Sequence, residues 1–372
     1  MMSRYKKNIK ILEKENVYSK EMEHDACGVG FVADVQGRRS YRIVEQALKA
    51  LSRLGHRGAI AADRKTGDGA GVLTQLPREF FAAQIQKLGE RVDPAAIGVA
   101  MVFFDHRDPR GARRFRTLAE EVCRARGIRV VGWREVPVEV SVLGARAFDS
   151  KPDIRQALLV KGPDIPSDEE FERRLYLARR ELTGRASRES LDSNYVVSMS
   201  SRTIVYKGLV VGVELGHFYV DLNDPLFVSA LAIFHQRYST NTHPTWQLAQ
   251  PFRLLAHNGE INTLDGNRNW MRARGPELTS KFWGDDLPAL LPVTDDRGSD
   301  SYSLDHALEF LVASGRSIVH AGMMLVPEAW ENMPDMPQGL RDFYSYHACL
   351  TEPWDGPAAL AYSDGRWVCA AL

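Results

Sequence analysis

Hydrophobic positions along this chain follow two periods, and each marks a different kind of element. In SYRIVEQALKALSRLGH the apolar residues Ile43, Val44, Ala47, Leu48, Leu51 and Leu54 recur at helical spacing, with Ser40 placed as an N-cap and Gly55 as a stop. CGVGFVAD before it reads as a strand of small residues, and GVLTQL reads as a strand after the polar, glycine-rich loop RGAIAADRKTGDGAG. REFFAAQIQKLG is helical, GVAMVFF strand-like, DPRGARRFRTLAEEVCRARG a basic-faced helix and IRVVGWREV a strand again. RQALLVK continues as a strand and SDEEFERRLYLARREL as a helix, while NYVVSMS and TIVYKGLV are expected to form a hairpin about a short polar turn. FRLLAHNG predicts a strand ending in a turn, and SDSYSLDHALEFLVAS a helix with Ser299 or Ser301 near its start. PAALAYSDGRWVCAAL predicts a hairpin about Asp-Gly.

Strands that come in adjacent antiparallel pairs, with helices in separate groups, favour layered antiparallel sheets over a doubly wound parallel sheet. No Pro- or Ser-rich linker and no internal repeat divides the 372 residues, so a single domain is expected after the leader. A hydrophobic content of 44% is ample for its core.

Charge narrows the class of partner. Lys plus Arg and Asp plus Glu both number 48, so no global field draws the chain to nucleic acid or to an anionic membrane. Its four cysteines, Cys27, Cys123, Cys349 and Cys369, contain no C-x-x-C, which argues against a disulfide framework or a metal cluster and suits a reducing cytoplasm. The leader MMSRYKKNIKILEKENVYSKEMEHDA has early basic residues but no apolar core, and acids run through its second half; it is neither a secretory signal nor a transit peptide. No run of about 18 apolar residues is present, so no membrane span is expected.

Two tempting signals carry little. TGDGAG follows a charged loop, where a dinucleotide fingerprint needs a strand before it and a helix after it, so a tight turn beside a site is the better reading. The ten histidines show no H-x-x-x-H spacing and read as hydrogen-bonding residues. Residues 235–267, HQRYSTNTHPTWQLAQPFRLLAHNGEINTLDGN, are different: too polar for core and too apolar for a solvated loop. That is the composition of a pocket wall, with a buried polar network joining sheets as the alternative. Within it, Asn258-Gly259 is either a hairpin turn or an oxyanion hole in which the Asn258 amide and the Gly259 N–H aim two donors at one point.

CGVGFVAD, ALKALSRLGHRGA, ADRKTGDGAGVL, FHQRYSTNT, PTWQLAQPFRLLAHNGEINTLDGN and GSDSYSLDHALEFL, in this order, resemble the glutaminase domain of the glutamate synthase large subunit. That domain is one of the N-terminal-nucleophile glutamine amidotransferases. The resemblance runs from Cys27 to the C-terminus and implies an α+β, four-layer αββα sandwich of two antiparallel sheets between helix layers. It also implies hydrolysis of L-glutamine to L-glutamate and ammonia, the glutaminase part of an enzyme of glutamate biosynthesis and ammonia assimilation. In such a family residues 1–26 are a propeptide, and its removal makes Cys27 the mature N-terminus. A free α-amine titrates at about 7.7–8.0, close to a thiol at about 8.5, and can therefore help move the thiol proton. By position Arg237 resembles the residue that pairs with the substrate α-carboxylate, and Asp300 the acid that accepts its α-ammonium. Read from the residues alone, Asp300 is equally an acid at a helix N-terminus.

The same resemblance implies no cofactor in this chain. Flavin mononucleotide and an iron–sulfur cluster are expected in the oxidoreductase region of a full synthase, as is the partner domain or subunit that receives ammonia. The end of the chain at RWVCAAL falls where the family's domain continues, so a truncated product is expected. Two rival readings are a non-catalytic glutamine-binding or docking module and a stand-alone amide hydrolase on the same fold. The pair Arg237 and Asp300 speaks against the second, because it suits a free amino acid.

Overall fold

The structure is a computed structural model that describes residues 28–55, 58, 61, 63, 65–236, 243–296 and 298–372. The leader, Cys27 and Arg237 lie outside the described residues. The strands are β1 Val29–Ala33, β2 Ala70–Gln75, β3 Ile97–Phe104, β4 Ile128–Glu135, β5 Asp153–Lys161, β6 Tyr195–Ser200, β7 Thr203–Gly208, β8 Leu231–Gln236, β9 Leu255–Gly259, β10 Ala358–Ser363 and β11 Val368–Ala371. The longer helices are α1 Tyr41–Arg53, α2 Arg78–Lys87, α3 Pro109–Ala125, α4 Asp168–Arg188, α5 Leu264–Arg274, α6 Asp300–Ala313, α7 Ile318–Leu325 and α8 Gln338–Ala348.

Two four-stranded sheets, β1-β8-β2-β7 and β4-β5-β3-β6, and a three-stranded sheet, β11-β10-β9, are antiparallel throughout. Strand β3 shows how the layers form. Val99, Met101 and Phe103 enter the core shared with the β1-β8-β2-β7 sheet and α1. Ala100, Val102 and Phe104 alternate with them and meet α3 and α4 on the opposite face. Under β9 and β10 a further core takes Leu304, Ala307 and Leu308 of α6 and Ile318 and Ala321 of α7. Antiparallel sheets packed between helices are the αββα sandwich implied by the resemblance. None of the described helices is long and apolar enough to cross a membrane.

One expected pairing is wrong. β6 and β7 do not form a hairpin: β6 pairs with β3 and β7 with β2, in different sheets. Both strands are buried on both faces, so each needs a sheet of its own rather than a solvated side. The corner between them is fixed by Ser200, whose Oγ accepts from the N–H groups of Arg202 and Thr203 at 2.9 and 3.1 Å and donates to Glu172 of α4 at 2.5 Å. The hairpin at the end of the chain does form, with Ser363 opposite Val368. Its Gly365 takes φ +84°, and Asp364 Oδ1 accepts from the Arg366 and Trp367 N–H groups.

Candidate functional site

Strands β1 and β8 run antiparallel with Val29 opposite His235, and Gln236 N–H donates to Gly28 O at 2.8 Å. Gly28 is covalently next to Cys27, and Gln236 next to Arg237. The register thus brings together the immediate neighbours of two residues singled out from the sequence. Packing leaves no room for a side chain on Gly28: a Cβ there would lie 2.4 Å from Gln236 O and 3.3 Å from Asn258 Oδ1. The Asn258 side chain therefore stands beside the residue that follows Cys27.

Asn258 and Gly259 do not make a hairpin turn. Both continue the ladder of β9, opposite Ala359 and Ala358 of β10. Asn258 is half-buried and Gly259 exposed, so the strand carries its last residues out of the core. Gly259 has φ +126°, and a Cβ on it would lie 1.9 Å from Pro357 O, so only glycine fits this close approach of two backbones. Beyond it the chain is held by Glu260 N–H to Pro357 O at 3.1 Å and Asn262 N–H to Asp355 O at 2.8 Å.

Asp300 is the first residue of α6, after Ser299, whose hydroxyl caps the helix by accepting from Tyr302 N–H at 3.2 Å. Arg268 of α5 steadies this entry through Gly298 O at 2.6 Å and Ser303 Oγ at 3.0 Å. Asp300 is thus an N-terminal helix acid, and it is also tied to the segment after Gly259: Ile261 N–H donates to its Oδ2 at 3.0 Å. Its side chain is 14% exposed, at the edge of the site rather than sealed inside. Asn258, Gly259 and Asp300 consequently form one locale, with the flanks of Cys27 and Arg237 against it.

Four residues that the sequence did not single out as site residues organise this locale. Gln250 exchanges two hydrogen bonds with the His257 backbone, accepting from its N–H at 2.7 Å and donating to its O at 3.1 Å. His235 Nε2 lies 3.1 Å from the same oxygen, joining β8 to β9. His257 Nδ1 lies 2.7 Å from Ser301 Oγ, which donates to Asp300 Oδ1 at 3.2 Å. Burial holds the His257 pKa below its ordinary value, with Asp300 opposing. The signal for His257 and Gln250 was the polarity of residues 235–267, whose described part holds a buried hydrogen-bond network; Ser301 reads in the sequence as an ordinary cap.

Cys123 and Cys369 are not activated thiols. Burial pushes Cys123 up to about 12 and raises Cys369 as well, while Cys349 donates to Ser345 O at the end of α8. TGDGAG opens into β2, not into a helix, which removes the dinucleotide reading. No group of three or more His, Cys, Asp or Glu among the described residues is placed to hold a metal ion.

The family described as Glutamine amidotransferases class-II matches residues 27–372. The chain is 49% identical over 355 residues to a ferredoxin-dependent glutamate synthase 2 of Synechocystis sp., covering 94% of this chain and 22% of that protein. It is 44% identical over 358 residues to the glutamate synthase [NADPH] large chain of Bacillus subtilis, covering 96% and 23%. With the Azospirillum brasilense large chain the figures are 42% over 368 residues, 99% and 24%. The chain thus spans about a quarter of the length of these relatives. With the match beginning at Cys27 and reaching the last residue, the chain belongs to the class-II glutamine amidotransferases.

Proposed function

We propose that this chain hydrolyses L-glutamine to L-glutamate and ammonia, as the glutaminase part of a cytoplasmic glutamate synthase. Removal of residues 1–26 frees the α-amine of Cys27, which accepts the thiol proton. The thiolate attacks the γ-amide carbon; Asn258 and Gly259 hold the resulting oxyanion; ammonia leaves with the transferred proton; water then cleaves the thioester to glutamate and the thiol. Arg237 and Asp300 hold the α-carboxylate and α-ammonium, leaving the side-chain amide over Cys27. The flavin and iron–sulfur cluster implied by the resemblance belong in this proposal to another part of a longer synthase, which consumes the ammonia, and no step here runs through them.

The observation that carries the reading is the meeting of Gly28, Gln236 and Asn258, because it supports one small site for the residues next to Cys27 and Arg237 and for the oxyanion donors. Glutamine hydrolysis by protein whose N-terminus is confirmed by mass is the test. Cys27→Ala should abolish it, and Asn258→Ala should lower kcat by roughly 10²–10³ with KM little changed. Activity surviving in Cys27→Ala would end the proposal, and an Asn258→Ala effect confined to KM would remove the oxyanion role.

A further inference from the structure

The polar chain behind Asp300 has a fixed direction. An ionised carboxylate only accepts, so the single hydroxyl proton of Ser301 is committed to Asp300 Oδ1, and the Ser301 N–H donates to the same oxygen at 2.7 Å. Ser301 Oγ must then act as acceptor toward His257 Nδ1 at 2.7 Å, which puts the imidazole proton on Nδ1. Gln250 Nε2, at 3.4 Å, is a second donor to that oxygen, and its amide orientation is fixed by the paired bonds to the His257 backbone. Every proton therefore points toward the carboxylate, an arrangement in which successive bonds polarise one another. His257 is 2% exposed and Ser301 1%, so neither reaches a ligand directly.

Without this backing Asp300 would be free to rotate and cap its own helix. With Oδ1 held by Ser301 and Oδ2 by Ile261 N–H, the carboxylate plane is set by both segments that frame the site. His257 is also the residue before Asn258, on the same strand. We propose that His257 and Ser301 are positioning residues that aim the Asp300 carboxylate at the substrate α-ammonium and lock it in register with Asn258 and Gly259. The inference rests on the reading of Asp300 as the acceptor of that ammonium, and it adds a specificity device: a ligand lacking the α-amino group gains nothing from the pair.

Calorimetric titration of the full chain with L-glutamate and with glutarate, which lacks the amine, tests it independently of turnover. Ser301→Ala and His257→Leu should weaken L-glutamate about tenfold, as expected for loss of a hydrogen bond to a charged group, and change glutarate less than about twofold. The KM for glutamine should rise to the same extent with kcat within a few-fold. His257→Asn, whose amide N–H replaces Nδ1–H at the same distance along the side chain, should restore most of the loss. Should His257→Leu fail to fold, Ser301→Ala decides alone, since it removes one oxygen. Asp300→Asn is the reference. If it weakens L-glutamate selectively while Ser301→Ala affects both ligands equally or neither, the positioning role is overturned and the reading of Asp300 stands. If Asp300→Asn leaves L-glutamate binding unchanged, both fall.

Discussion

Helix α6 carries two aspartates with opposite fates. Asp305 is fully buried, and its carboxylate is consumed by backbone: Oδ1 accepts from Leu254 and Leu255 N–H at 2.8 and 3.2 Å, and Oδ2 from Arg253 N–H at 3.3 Å. The Arg253 guanidinium lies alongside, at 3.5 Å from Oδ2, and is shared with Glu309, Tyr195 and His306. Burial pushes the Asp305 carboxyl upward and Arg253 opposes it. Asp300, less than two turns earlier, keeps part of its side chain exposed and is oriented by Ser301 and Ile261. The two acids share a helix and a partner segment, residues 250–261, yet one fastens that segment to the helix and the other faces outward from the join. An acid whose acceptor capacity is spent on backbone amides is a fixture; one that is aimed but not sealed can take a ligand.

The contrast breaks most visibly at Asp305. Asp305→Ala leaves three buried N–H groups without their acceptor and Arg253 short of a counter-charge, a loss of about 3–5 kcal/mol. Asp300→Ala removes a helix-end acid and the part-buried acceptor of the Ile261 and Ser301 N–H groups, and should cost about 1–2 kcal/mol while crippling glutamine binding. Urea denaturation of both variants beside their KM values checks this. An Asp300→Ala variant as unstable as Asp305→Ala would mean that Asp300 too is chiefly a fixture.

Acid sharpens the comparison further, because each cluster contains a histidine whose pKa burial depresses. Burial lowers the pKa of His257, with Asp300 opposing. His306 is lowered much further, by burial and by Arg253, Arg180 and Arg179. The unfolded chain takes up these protons near pH 6.5 while the folded chain refuses them, so their contribution is complete above about pH 6.5 and stability falls as pH drops below it. Each histidine contributes about 1.4 kcal/mol per pH unit until its folded pKa is reached, and His306 does so over the wider window. Burial also lowers His320 and His347, which adds a background slope common to all variants. Denaturation midpoints between pH 7 and 5 should flatten more in His306→Gln than in His257→Asn; equal slopes in the two would show that their surroundings do not differ as described.

The same contrast explains what could be read from the sequence. Periodicity located the strands, α1 and α6, because burial of one face is written locally in residues such as Ile43, Val44, Ala47 and Leu51. It failed at β6 and β7, where both strands are buried on both faces and the choice of partner lies with β3 and β2, far away in the chain. At the site, Asn258, Gly259 and Asp300 stood out through motifs, whereas His257, Gln250 and Ser301 did not. Their importance is a matter of which donor meets which acceptor across 44 and 51 residues of chain, a relation that no local pattern contains.

The smallest effect comes from Ser299, and it separates a cap from a positioning residue. Ser299 Oγ accepts from Tyr302 N–H, satisfying one of the free amides of the first turn, so Ser299→Ala should cost about 1 kcal/mol. That first turn carries both Asp300 and Ser301, and fraying it would loosen the carboxylate. Arg268 opposes fraying from outside the cap, since it holds Gly298 O and Ser303 Oγ on either side of the turn. The turn therefore stays formed in the folded state, and the KM for glutamine should rise by less than about threefold, well below the tenfold expected for Ser301→Ala. Ser299→Thr keeps the capping oxygen and should restore both stability and KM. A Ser299→Ala variant that lost only about 1 kcal/mol yet matched Ser301→Ala in KM would show that Asp300 is oriented by the helix end as a whole, with no special part for the bond from Ser301.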